Sequence, residues 1–178
     1  MPVYSRPAAV LVLLALVASA CSFSFSTGGD STSDVARAAE ALVRTLDADE
    51  GLGLVEISCD EPADTDDGTS FACESPVADG SVITWTAVID GDDIDVDSDN
   101  LVTTGGLAAL VDAVAQVVGE QTGQPFTGAD IDCGSAPIVL DATGEIGCDL
   151  ALPGGGSQQL IVTVTDTRSG DFEVRAAG

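Results

Sequence analysis

Four cysteines set the frame within which this chain must fold. Cys73 follows Cys59 after 14 positions, Cys148 follows Cys133 after 15, and the second pair repeats the first about 75 residues on. The flanks repeat as well. Val55-Glu56-Ile57-Ser58-Cys59-Asp60 is matched by Ala129-Asp130-Ile131-Asp132-Cys133-Gly134, and Ser70-Phe71-Ala72-Cys73-Glu74 by Glu145-Ile146-Gly147-Cys148-Asp149. Four thiols admit three pairings. A chain built as two copies of one unit selects Cys59 with Cys73 and Cys133 with Cys148, because each copy then closes on itself. A unit of ~70 residues buries too little apolar surface to be comfortably stable alone. Closing a loop of ~15 residues contributes about 3 kcal/mol in the chain-entropy picture, a large share of a small domain's stability. Zinc is the other use of four cysteines, but no Cys-x-x-Cys spacing is present.

Each cysteine pair is preceded by a helical pattern and followed by strand patterns. Val35, Ala38, Ala39, Leu42, Val43 and Leu46 form one amphipathic stripe, with Thr32 or Ser33 as candidate cap and Glu40 four residues before Arg44. Leu107, Leu110, Val111, Val114, Val117 and Val118 form the second, with Thr104 as candidate cap and Gly119 as candidate stop. The strands expected in the first unit are 54–59, 70–75, 82–89 and 93–97, the last two joined by Asp90-Gly91. In the second unit they are 130–133, 145–152, 158–165 and 171–175, with the last turn at Ser169-Gly170. The expected fold class is therefore α+β: two tandem units, 33–99 and 100–178, each one helix packed on a four-stranded antiparallel sheet with one disulfide inside the unit.

The N-terminus says where such a chain works. Arg6, an unbroken apolar run from Ala8 to Ala18, the small residues Ser19 and Ala20, and then Cys21 resemble a bacterial lipoprotein signal peptide over residues 1–20. The run is shorter than the ~20 residues a spanning helix needs. The resemblance implies a diacylglyceryl group on Cys21, and two acyl chains are what stable anchoring takes. Residues 21–32, rich in Ser, Thr and Gly, read as a flexible tether from the lipidated cysteine. Phe23 and Phe25 within it read as side chains dipping into the membrane interface. The expected location is the cell membrane, lipid-anchored, on the extracytoplasmic face, where the remaining cysteines meet an oxidising compartment.

The helix, the first cysteine and a following Gly-x-x-Phe-x-Cys segment resemble an uncharacterised domain family of actinobacterial lipoproteins, in two tandem copies. Gly68-Thr69-Ser70-Phe71-Ala72-Cys73 matches that segment in the first unit. The second unit departs from it, with Gly144-Glu145-Ile146-Gly147-Cys148 one residue shorter and Ile in place of Phe. The resemblance implies a lipoprotein and carries over no catalytic residue.

Charge and residue choice exclude most chemistries. Thirty acidic residues stand against five basic ones, for a net charge of −25, and the chain has no His. All five basic residues are arginines, and four of them (Arg37, Arg44, Arg168 and Arg175) follow Cys21. Such a surface repels nucleic acid and anionic headgroups and attracts cations or a basic partner. Without His or Lys the usual general bases and the Ser-His and Cys-His nucleophile pairs are missing. Trp85, the single Trp, shares a strand face with Ile83, Ala87 and Ile89 and reads as core.

The stretch from Asp90 to Asn100 superficially resembles a calcium loop, making Asp90, Asp92, Asp93 and Asp95 weak candidate ligands. It lacks the tight-turn Gly, because Asn100 stands there, and the bidentate Glu, because Gly106 does. A second acidic cluster, Asp60, Glu61, Asp64, Asp66 and Asp67, fills the first cysteine loop, whereas its counterpart, residues 135–140, is apolar. The expected role is non-enzymatic and cofactor-free: a protein-binding or scaffolding module of the cell envelope with an extracytoplasmic protein partner. Secreted β-lactamase inhibitor proteins similarly pair two helix-plus-four-strand units, an analogy of fold alone. The alternative is a low-affinity cation or small-ligand binder using the surface Asp clusters.

Overall fold

A computed structural model of the chain describes residues 31–177. The expected signal peptide, Cys21, Phe23, Phe25 and nearly all of the expected tether lie outside the described residues. The chain runs α1 (Thr32–Glu50), β1 (Ser58–Cys59), β2 (Ser70–Pro76), β3 (Val82–Asp90), β4 (Asp93–Ser98) and β5 (Leu101–Val102). It continues with α2 (Thr104–Thr122), a 3-10 turn (Gly128–Asp130), β6 (Ile131–Asp132), β7 (Ile138–Val139), β8 (Glu145–Ala151), β9 (Ser157–Asp166) and β10 (Asp171–Ala176). The class is α+β, with two helices, antiparallel sheets and two disulfides. Among the described residues no helix is long and apolar enough to cross a membrane.

α1 forms because its apolar residues recur at helical spacing, and Val35, Ala38, Ala39 and Val43 of the stripe are buried while Leu42 and Leu46 pack beside them. It stops at Gly51, whose left-handed φ of 68° lets its N–H donate back to the Asp47 carbonyl at 2.8 Å. Ser31 is the N-cap, one residue ahead of the expected pair, and its hydroxyl donates to Asp34 Oδ2 instead of accepting from the helix. In α2 the cap is Thr103, whose Oγ1 accepts from Gly106 N at 3.1 Å. The expected stop at Gly119 is overtaken, and the helix ends at Gly123 with φ 71°. Gly119 has a packing reason instead, since a Cβ there would stand 3.0 Å from the Gln124 carbonyl oxygen.

The strands form two four-stranded sheets, in the orders β1-β2-β3-β4 and β10-β9-β8-β6. Strict alternation on β2 and β3 turns Phe71, Cys73, Ser75, Ile83, Trp85, Ala87 and Ile89 inward, and on β8 it does the same for Ile146, Cys148 and Leu150. Each sheet packs with one helix around its own apolar core, one holding Val43, Ile83 and Trp85, the other Val114, Leu150 and Val162. Cys59 pairs with Cys73 and Cys133 with Cys148, with Cα–Cα separations of 4.0 and 4.1 Å.

Two features depart from the expected units. The first strand of each sheet is only two residues long. In the first sheet Leu54 bridges Val77, but Val55 and Glu56 are both exposed, so the alternation breaks and pairing resumes only at Ser58. The second departure is a two-stranded ribbon, β5 with β7, that belongs to neither four-stranded sheet. Leu101 faces Val139 and Val102 faces Ile138, so the chain between the two sheets is itself held as a strand.

Candidate functional site

The two halves meet around a cleft of about 440 Å³. The last turn of α1 and Leu52 form one wall, and the first turns of α2, with Gly105, Ala109 and Leu110, form the opposite one. Trp85 and Val96 contribute from β3 and β4, and Val164 with the β9–β10 turn closes the end. Trp85 is thus a core residue as expected, 2% exposed, with its Nε1 donating to the buried Ser75 Oγ at 3.1 Å. It also forms part of the cleft floor. The volume falls in the range of small-ligand and side-chain pockets.

The mouth carries Asp49, Glu50, Asp97 and Arg168. Glu50 Oε2 accepts from Thr104 N at 3.0 Å, so the carboxylate ending the first helix sits at the N-terminus of the second, where its charge meets the positive end of the helix dipole. Arg168 donates to Asp99 Oδ1, and Thr86 Oγ1 donates to the same carboxylate. Among the described residues Asp49 and Asp97 have no ion-pair partner, which leaves the mouth net negative.

Asn100 joins the halves from within. Its Oδ1 accepts from Thr84 N at 2.9 Å, and its Nδ2 donates to the carbonyls of Val82 at 2.9 Å and Leu140 at 3.4 Å. Its own carbonyl accepts from Leu140 N at 2.7 Å. The side chain imitates a peptide group laid against β3, while the main chain pairs with the second cysteine loop. Thr167 Oγ1 completes the junction by donating to the Ser98 carbonyl at 2.9 Å.

Sequence reasoning brought none of these junction residues forward as a group. Asn100, the only Asn in the chain, entered it merely as the residue that spoils a calcium loop. Its position beside a run of alternating Asp is the available signal: a side chain that both donates and accepts stands where carboxylates, which only accept, would fail.

The calcium candidates do not converge. Asp90 and Asp92 flank the β3–β4 turn and Asp93 and Asp95 lie along β4, and among the described residues no three acidic side chains come close enough to share a metal ion. Two acids of the cluster from Asp60 to Asp67 instead hold turns in place. Asp64 accepts from the Thr69 hydroxyl and from Asp66 N, and Asp67 Oδ1 accepts from Gly91 N at 2.9 Å.

The Thr69 hydroxyl, aided by Asp66 N–H, holds the Asp64 carboxyl below the usual carboxylate range. The Ser81 hydroxyl does so for Asp79 and the Thr143 hydroxyl for Asp141. In the β9–β10 turn the backbone N–H groups of Ser169 and Arg168 lower Asp166 in the same way. These acids are locks on turns. The apolar counterpart loop, residues 135–140, differs because β7 and the buried Leu140 receive the linker there. Comparison with protein-family models, with curated proteins and with solved structures finds no match to this chain.

Proposed function

We propose that this chain is a cell-envelope lipoprotein, anchored on the extracytoplasmic face of the membrane through a lipid on Cys21, whose two halves are tandem copies of one helix-on-sheet unit serving as a non-enzymatic binding module. The partner in this reading is another extracytoplasmic protein, which places an apolar side chain in the cleft and basic residues at its mouth. The observation that carries the reading is the cleft itself, apolar within and acidic around its opening. A net charge of −25 adds long-range attraction for a cationic segment. The dearth of proton-transfer groups supports binding over turnover, because Cys21 is followed by no His, Lys or Tyr. The two disulfides and the lipoprotein-like N-terminus support the location.

Trp85 makes the reading testable, since the only indole of the chain borders the cleft. A peptide with a central Leu-Phe pair flanked by lysines is expected to change Trp85 fluorescence saturably and to bind more weakly as salt is added. Ala109→Phe, which fills the cleft, is expected to weaken binding about ten-fold or more. A Glu-flanked peptide binding equally well, or a response unaltered by Ala109→Phe, would overturn the assignment. For the anchor, a radiolabelled fatty acid should appear on the wild type and be absent from Cys21→Ala.

A further inference from the structure

We infer that the free edge of β10 is a docking strand for a second copy of this chain, pairing antiparallel about Val174. β10 ends its sheet, bonded on one side only to β9. Ala177 N donates inward to the Gln159 carbonyl, and the register through Ala176, Arg175 and Val174 is unbroken. Since the ladder alternates, the backbone N–H and C=O groups of Phe172, Val174 and Ala176 point away from the sheet. Among the described residues nothing hydrogen-bonds to them. An open row of this kind is a template for strand addition.

The side chains select the occupant. With a two-fold axis at Val174, Val174 faces its own copy as a hydrogen-bonded pair, and Phe172 faces Ala176. Glu173 then faces Arg175 of the second copy, twice, in the closer non-hydrogen-bonded positions. Phe172 and Val174 are half-buried on the side that packs toward α2, so the second copy would extend their cover. Arg175 is one of four arginines after Cys21, and its present ion pair, with Glu145 on the same sheet at 2.9 Å, is largely solvent-exposed.

The corresponding edge strand of the other sheet shows the contrast. β4 presents Asp93, Asp95 and Asp97 on one face, so antiparallel self-pairing there sets carboxylate against carboxylate. The net charge of −25 on each copy opposes approach, but at physiological salt it is screened beyond ~8 Å and the contact pairs decide the register.

Two full-length copies carrying different tags, co-expressed and recovered from whole-cell lysate in mild detergent, provide the test, which does not depend on the lipid anchor. One wild-type copy is expected to recover the other. Glu173→Arg in both copies, or Arg175→Glu in both, sets like charges opposite each other and should cut recovery about ten-fold. Glu173→Arg in one copy with Arg175→Glu in the other restores opposite charges at both crossings and should restore recovery. Far-ultraviolet circular dichroism checks that each variant is folded. No recovery of the wild type, recovery untouched by the single-type changes, or failure of the mixed pair to recover would each overturn the assignment.

Discussion

At the scale of single residues, Asn100 is where the two halves are most directly joined, and it is a residue that no carboxylate could replace. Its amide satisfies one N–H on β3 and one C=O on each side of the junction. Asn100→Ala is expected to destabilise the protein by about 1–3 kcal/mol, because part-buried backbone groups lose partners they cannot readily regain. Asn100→Asp keeps the acceptor, loses the donor and introduces a charge, and should fall at or below the Ala variant; urea denaturation reads both. A difference within error of wild type would show that water replaces the amide without cost. The legibility of the sequence differed sharply at this scale. The inward residues of β2, β3 and β8 could be read because burial alternates with the pleat, and Trp85 could be placed by that rule alone. Asn100, Glu50 and Arg168 could not, because their partners lie 40, 54 and 69 positions away and no local period encodes them.

At the scale of elements, the α1 stripe and the strands β2, β3 and β8 followed their patterns, whereas the helix ends and the first strand of each sheet did not. Caps are decided by single hydrogen bonds, so Thr103 and Gly123 bound α2 where Thr104 and Gly119 were expected. β5 and β7 are too short to carry a period, and each exists only because the other does. The disulfides carry a correspondingly local load. Each closes a loop of 14 or 15 residues between the beginning of a sheet and its next strand. Replacing Cys59 and Cys73 together by Ser, or Cys133 and Cys148 together, should cost about 3 kcal/mol in either case. Because the second loop also holds β7 and Leu140 against the linker, the Cys133 and Cys148 replacement should in addition loosen amide protection at Leu101 and Val102, which hydrogen exchange would resolve. Equal protection at those amides in both variants would count against coupling between loop and linker.

For the whole molecule, charge sets the conditions under which the fold is most stable. Repulsion within a chain of net charge −25 opposes compactness at neutral pH. The locked carboxyls act in the opposite sense. Asp64, Asp79, Asp141 and Asp166 have folded pKa values held below their unfolded ones by hydroxyl and N–H donors. Their stabilisation is present in full above the unfolded value near ~4 and is lost as pH falls through the depressed folded values. Salt added at pH 7 should therefore raise the melting temperature, and the same salt in acid, where the net negative charge is smaller, should do less. Further acid should lower the melting temperature as the turn locks are protonated. A melting temperature that drops with salt at pH 7 would show that the ion pairs, and not the surplus of negative charge, dominate.

Neither sulfur bridge crosses the midpoint of the chain. With Cys21 taken up by the proposed lipid, Cys59 meets Cys73 before Cys133 and Cys148 follow it out of the membrane, so the first free partner each remaining thiol meets is the correct one. Wiring of this kind lets each bridge form between neighbours in the chain, without waiting for the other half.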